Sequence, residues 1–127
     1  MAALTKHQFS ETSGLSGRRF VVDAVTASAA DVFHVVPSIS TYTDEVWVYA
    51  HNFSGTDVAV TFMLSLTGLP TSRLATVHEG VTITIPFQSG RALVFDGTLI
   101  NHSLSAAVYA TTGGTISIDG FVNRIAT

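Results

Sequence analysis

The sequence predicts an all-β domain, a two-layer antiparallel β-sandwich of jelly-roll-like type with about eight strands and an extended N-terminal arm. Three observations carry this. Thirty-nine of the 127 residues are Val, Ile or Thr, whose branching at Cβ suits a pleated surface. Short apolar runs recur along the chain between clusters of Gly, Pro, Ser and Asp, the punctuation of an all-β fold. The one Ala-rich stretch, residues 28–31, is too short to support a helix alone.

Residues 1–17 stand apart from the rest. They carry Lys6, His7, Gln8 and Glu11, then the small-residue run Ser13-Gly14-Leu15-Ser16-Gly17. They read as an arm outside a single sandwich domain over 18–127. The arm's apolar residues Leu4, Phe9 and Leu15 are spaced by five and six, which matches neither a strand nor a helix stripe. Such spacing suits an extended peptide that drops single anchors into pockets on a neighbour.

The predicted strands follow in order. Residues 18–25 form the first and 31–36 the second, stopped by Pro37-Ser38. Residues 45–53 (EVWVYAHNF) form the third, and 58–66 return across the Ser54-Gly55-Thr56-Asp57 turn as its hairpin partner. Gly68-Leu69-Pro70 opens a loop running through His78-Glu79-Gly80. Residues 81–87 and 91–95 follow, divided by Gln88-Ser89-Gly90 and ended by Asp96-Gly97. Residues 104–111 and 115–125, joined at Gly113-Gly114, complete a second expected hairpin.

Alternation assigns the faces. Val58, Val60, Phe62 and Leu64 share one face and are expected inside the sandwich with Val46, Val48, Ile83, Ile85, Ile116 and Ile118. Residues 45–53 and 116–125 are apolar on both faces, with Trp47 and Tyr49 on the reverse of one and Phe121 and Ile125 on the reverse of the other. A strand apolar on both faces is covered on both. One cover is the facing sheet; the other is a neighbouring subunit, an arm, or the chain's own loop, particularly 69–80. Trp47, Tyr49, Phe121 and Ile125 are therefore candidate oligomer-interface residues, together with the arm's Leu4, Phe9 and Leu15.

Composition narrows function. Charged residues make up 12% of the chain, the net charge is −3 and mean hydropathy is +0.42, against about 25% charged residues in ordinary domains. A surface so poor in charge points to a protein cover, and the acidic balance argues against nucleic acid as a partner. No run approaches the ~20 apolar residues of a membrane helix, so no membrane partner is expected. The first residues show no continuous apolar core of a secretory signal. The chain has no cysteine, which excludes disulfides, thiolate metal sites and Cys nucleophiles.

Chemistry-bearing patterns are sparse. His7, His34, His51, His78 and His102 show no two- or four-residue spacing, so they read as ordinary hydrogen-bonded or loop histidines and no metal or other cofactor is expected. There is no Gly-x-Ser-x-Gly elbow and no phosphate loop, and Gly113-Gly114 sits in a hairpin context. The carboxylates form no recognisable glycosidase pair. No catalytic residue is assigned and no enzymatic activity is expected. Trp47, Tyr49 and Phe53 allow a second reading as a sugar-stacking platform.

The segment Asp44-Glu45-Val46-Trp47-Val48-Tyr49-Ala50-His51-Asn52 resembles small β-sandwich virion proteins of tailed bacteriophages. The same pattern continues in Val81-Thr82-Ile83-Thr84-Ile85-Pro86, in Leu93-Val94-Phe95-Asp96-Gly97 and in the segment from Ile116 through Asp119-Gly120-Phe121 to Ile125. The resemblance covers residues 44–125; the arm and the first two strands lie outside it. It implies a structural virion protein, a capsid decoration or cement protein on the outer head surface. The partner it implies is the major capsid protein, and the assembly a homo-oligomer, commonly a trimer. The alternative is a tail- or fibre-associated module that recognises a host surface glycan.

Overall fold

The computed structural model describes residues 3–9, 19–26, 29–65, 78–102 and 104–127, with the backbone alone at 64–65 and 78–80. Among these residues there are nine strands and no α-helix: β1 (Ala3–His7), β2 (Phe20–Val21), β3 (Asp31–Val35), β4 (Tyr42–Asn52), β5 (Val58–Ser65), β6 (His78–Ile85), β7 (Arg91–Asn101), β8 (Ser105–Ala110) and β9 (Ile116–Ala126). They form two antiparallel sheets. The first runs β1-β9-β4-β7, with β2 also on β9; the second runs β3-β8-β5-β6.

The pairings β2 with β9, β3 with β8, β4 with β7 and β5 with β6 are nested one inside the next. This is a ribbon of antiparallel chain wound across two sheets, the jelly-roll topology. Nesting corrects both expected hairpins. Residues 45–53 and 58–66 are not partners, because β4 lies between β9 and β7 while β5 lies between β8 and β6 in the other sheet. Likewise β8 and β9 fall in different sheets. Each short connection is an arch from layer to layer, and period-two alternation looks the same on either side of an arch or a hairpin turn.

Asn52 makes the first arch. It is buried at the end of β4 and its Nδ2 donates to the carbonyls of Thr56 and Ile85, each at 2.8 Å. Its Oδ1 accepts from the Ser54 backbone N–H at 2.9 Å and from the Ser54 hydroxyl at 2.8 Å. One amide thereby closes an Asx-type turn and staples the end of β4 to the end of β6 in the opposite sheet.

Further boundaries differ from the expectation: of the first expected strand, 18–25, only Phe20–Val21 is strand among the described residues. The loop expected through His78-Glu79-Gly80 is already strand, since β6 begins at His78. Asp96-Gly97 does not end β7, which runs on to Asn101; Gly97 sits at φ +109° where the register against β4 slips between Val46 and Trp47, a bulge in place of a turn. The arm is not wholly outside the sandwich. Residues 3–7 are strand β1, antiparallel to β9, and Phe9 is 3% exposed within the core. The expected loop over residues 69–77, and Leu15, lie outside the described residues.

The inner faces follow the alternation. Val46, Val48, Val58, Val60, Phe62, Ile85, Ile116 and Ile118 are buried in one cluster with Phe33, Ile100, Val108 and Val122, and Ile83 packs against it. Phe62 is its hub, edge-on to Phe33 at 6.3 Å and to Phe95 at 5.1 Å.

Candidate functional site

The cross-strand register turns the outer face of the first sheet into a grid. Leu4, Ile125 and Thr43 form one row, Lys6, Asn123, Glu45 and Leu99 the next. Phe121 and Trp47 form the central pair, followed by Asp119, Tyr49 and Leu93, then Ser117, His51 and Arg91. Five of the seven residues expected at an interface, Leu4, Trp47, Tyr49, Phe121 and Ile125, thus share one face. Phe9 does not. As an inner-face residue one strand step beyond β1, it packs edge-on against Phe33 at 5.1 Å, so it serves this sandwich rather than a pocket elsewhere.

The side chains of this face interlock in layers. The Trp47 and Phe121 rings stack at 5.8 Å with planes 7° apart, and Lys6 Nζ lies 4.3 Å from the Phe121 centroid. Trp47 Nε1 donates to Glu45 Oε1 at 2.8 Å, and Asn123 Nδ2 donates to the same oxygen at 2.9 Å. These two donors, Asn123 foremost, hold the Glu45 carboxyl below the ordinary glutamate value. Arg91 lies with its guanidinium carbon 3.5 Å from the Tyr49 centroid, while its Nε reaches both Asp119 oxygens at 3.2 Å. Arg19 joins Asp119 at 3.7 Å. Asp119 is thus ion-paired with Arg91 and Arg19, while Glu45 is held by neutral donors and Lys6 lies over the Phe121 ring.

Beside Lys6 and Arg91, the exposed side chains of the face include three leucines. Leu4 is 66% exposed, Leu99 60% and Leu93 50%, around the half-buried aromatic pair. The reverse of the sandwich is different in kind. On the second sheet Thr61 and Thr82 join hydroxyls at 2.9 Å, with Thr84 beside them, and among the described residues Ala30, Met63 and Ala107 are buried there with Val32 and Tyr109 packed against them. One outer face is built for apolar contact; the other is lined with hydroxyls where β5 meets β6.

Gly120 sits beneath the grid, opposite Val48 on β4. A Cβ there would run into the Trp47 carbonyl oxygen and lie 2.7 Å from Cζ of Phe9. The glycine thus lets β9 approach the Trp47 carbonyl closely and seats the Phe9 ring. Gly120→Ala is expected to lower stability by about 3 kcal/mol or more, since neither the backbone carbonyl nor the wedged ring can give way cheaply. Urea titration checks this; a midpoint equal to the parent's would refute the fit.

A buried charged cluster, missed in the sequence, lies at one end of the core. Asp44 on β4, His34 on β3 and Arg124 on β9 converge there, with Asp44 and His34 fully buried. Arg124 Nε donates to Asp44 Oδ1 and Nη2 to Oδ2, both at 2.8 Å, and His34 Nε2 meets Oδ2 at 2.6 Å. Burial by itself raises the Asp44 pKa, but the Arg124 and His34 hydrogen bonds and their charges outweigh it and hold it at about 2. The carboxylate is thus ionised, so His34 Nε2 carries the proton and donates. Asp44 in turn raises the Arg124 pKa through the same fork. His34 belongs to the second sheet and Asp44 to the first, so the cluster ties the layers together. Its burial removes it from any substrate. Among the described residues no three His, Asp or Glu side chains are placed to hold a metal ion.

No family model matches the chain, and no curated protein matches it. Among solved structures, the CBM22-1 and GH10 modules of Clostridium thermocellum endo-1,4-β-D-xylanase 10B, complexed with xylohexaose, align with 99% of this chain at 9% identity and TM-score 0.49. This chain spans 24% of that one. Eiger TNF from S. frugiperda aligns with 100% of this chain and 92% of its own at 13% identity and TM-score 0.45. At such scores the likeness carries no argument about function.

Proposed function

We propose that the protein is a non-enzymatic structural component of a tailed-phage virion, a capsid decoration protein. In this reading it self-associates, as a trimer, and packs on the major capsid protein through the outer face of the first sheet. The observation that carries the proposal is the contrast between the two outer faces. One presents exposed Leu4, Leu93 and Leu99 around the Trp47–Phe121 pair; the other, among the described residues, presents Thr61, Thr82 and Thr84 where β5 meets β6, with Met63 and Ala107 buried beside them. Exposed large apolar side chains gathered on one face mark a candidate contact site. The Arg91–Asp119 pair and the two hydrogen bonds to Glu45 leave these charges partnered when that face is covered.

The glycan-recognition alternative needs an open ring face for a sugar to stack on. Phe121 has Trp47 on one side and Lys6 at 4.3 Å, and the Tyr49 ring carries the Arg91 guanidinium. Trp47, Phe121 and Tyr49 are thus engaged within the face, which favours a packed contact over a sugar platform there, while Phe53, the third residue of that reading, is 50% exposed beside His51.

The test is a double variant, Leu93→Lys with Leu99→Lys, on exposed positions that the core does not use. It is expected to melt with the parent, because both side chains lie outside the core. It is also expected to sediment as a smaller species and to lose binding to shells assembled from the major capsid protein. Unchanged assembly and unchanged capsid binding would reject this face as the contact.

A further inference from the structure

A sandwich of two open sheets has four edges, and three of these carry features that discourage pairing with another chain. β7 slips register twice against β4, and β3 slips against β8 between Val32 and His34. The far edge of the first sheet is divided between β1 and the two-residue β2. Bulges and short strands of this kind keep edges from recruiting further strands. The fourth edge, β6, has neither. It keeps an unbroken register on β5 from His78 to Ile85, and among the described residues no strand lies on its other side. Residues 80–85 hold no charge and no proline.

Backbone direction defines what this edge offers. The Thr111 N–H donates to the Ala59 carbonyl at 2.9 Å, so Ala59 turns its backbone groups toward β8. Directions alternate along a strand. Val58, Val60 and Phe62 therefore turn theirs toward β6, where Ile85, Ile83 and Val81 are their partners. Thr82 and Thr84 are left with N–H and C=O directed to the outer edge, and both residues are exposed. On the inward phase Val81, opposite Phe62, is 41% exposed, and Ile83 is only partly buried. Outward-directed backbone and uncovered apolar side chains thus share one short run.

The sequence of that run selects its occupant. Val81-Thr82-Ile83-Thr84-Ile85 has the same order of side-chain types in either direction, branched apolar residues alternating with threonine. Two copies laid antiparallel about Ile83 match at every position: Ile83 meets the partner's Ile83, Val81 the partner's Ile85, and Thr82 the partner's Thr84. The backbone agrees with this register. Positions 82 and 84 both point outward and form the hydrogen-bonded pairs, while Ile83 falls at a non-hydrogen-bonded pair. On the outer surface the Thr61–Thr82 hydroxyl contact continues into the partner's Thr84. Other registers fit worse. Centring on Thr82 sets Ile85 against the partner's Glu79, and centring on Thr84 sets Thr82 against the partner's Pro86, which has no N–H to give.

We propose that β6 is a self-pairing edge, through which two copies join antiparallel about Ile83 and merge their second sheets across a two-fold axis. Such a contact is self-complementary and closes on itself. It is separate from the outer face of the first sheet and joins copies in pairs.

The test uses the full-length protein, both unsubstituted and with Leu93→Lys and Leu99→Lys, which disable the first-sheet face. Sedimentation over a range of concentrations reports association, and amide exchange followed by NMR reports the Thr82 and Thr84 N–H groups. In both proteins these amides are expected to exchange freely when dilute and to slow by about tenfold or more on association. A single Ile83→Cys, in a chain without cysteine, can bridge only to another copy. At a non-hydrogen-bonded pair the Cα atoms lie about 4.5 Å apart, within disulfide reach. It is expected to oxidise to covalent dimers faster than Thr112→Cys, a control on an exposed turn. Amides that stay fast up to about millimolar concentration would overturn the proposal. Amides already protected in the dilute monomer would also overturn it, because the chain's own residues would then cover the edge. Protection lost in the leucine variant would assign the contact to the first sheet, and Ile83→Cys no faster than the control would reject the register; either result overturns the proposal. If Ile83→Cys does not fold, amide exchange in the unsubstituted protein decides alone.

Discussion

Replacing Asp44 by Ala is expected to destabilise the protein by about 3–5 kcal/mol, the cost of breaking a buried ion pair from one side. The carboxylate accepts the Arg124 fork and the His34 Nε2–H. Without it, a guanidinium and an imidazole remain beside the core with their donors unmet. Its removal also severs the tie between β3 of one sheet and β4 of the other. The same group predicts an acid limb. The Asp44 pKa falls from 3.8 to about 2 on folding, so the unfolded chain takes up a proton at higher pH than the folded one. The stabilisation is therefore full above about pH 4 and is lost as pH falls through 2, a loss of about 2 kcal/mol at 1.36 kcal/mol per unit. Urea unfolding at pH 6, 4, 3 and 2 measures it. Asp44→Asn, which keeps the shape and drops the charge, should flatten that limb; a variant curve parallel to the parent's would show that Asp44 does not carry it.

Phe62→Ala is expected to cost a comparable 3–5 kcal/mol. The ring is fully buried between Phe33 and Phe95, so truncation loses its burial and leaves a cavity bounded by both sheets. Strand backbones locked into ladders on either side allow little collapse, which places the cost toward the upper end of the range. Thermal melting of the purified variant decides it. A midpoint within a degree or two of the parent would place the centre of the core elsewhere.

The faces of the sandwich were legible in the sequence, and the pairings were not. Val46, Val48, Val58, Val60 and Phe62 turn inward and Trp47, Tyr49 and Phe121 outward because side chains alternate at each residue whatever the neighbour strand is. Pairing depends on distant chain: Thr43 is opposite Asn101 and Asp44 is opposite Arg124, and no local pattern records such a match. A signal for the arch was nonetheless present in Asn52-Phe53-Ser54, an Asx-turn sequence at the end of a strand. The charged cluster also left a trace. Asp44 is in phase with Val46 and Val48, and Arg124 is in phase with Val122, so an acid and a base each sit on the inward phase of an apolar strand. His34 left none, because a bulge between Val32 and His34 breaks the phase and buries both Phe33 and His34.

The position of β9 has a consequence for the order in which the protein can be made. It is the hub of the first sheet, joined to β1, β2 and β4, yet it follows every one of its partners in the chain. During synthesis β5 and β6 can pair as soon as both have emerged, and β8 can then complete their sheet with β3. The first sheet must wait, with β1, β2 and one long side of β4 unmatched until the ribosome has delivered β9. Through that interval the Phe9 ring lacks the Gly120 side of its seat and the strand edges are open to other nascent chains. Nested closure of this kind also makes for slow folding, since the outer pairs repay their loop entropy only after the inner ones have formed. The aggregation-sensitive step in producing this protein is thus the completion of the sheet that carries its apolar outer face.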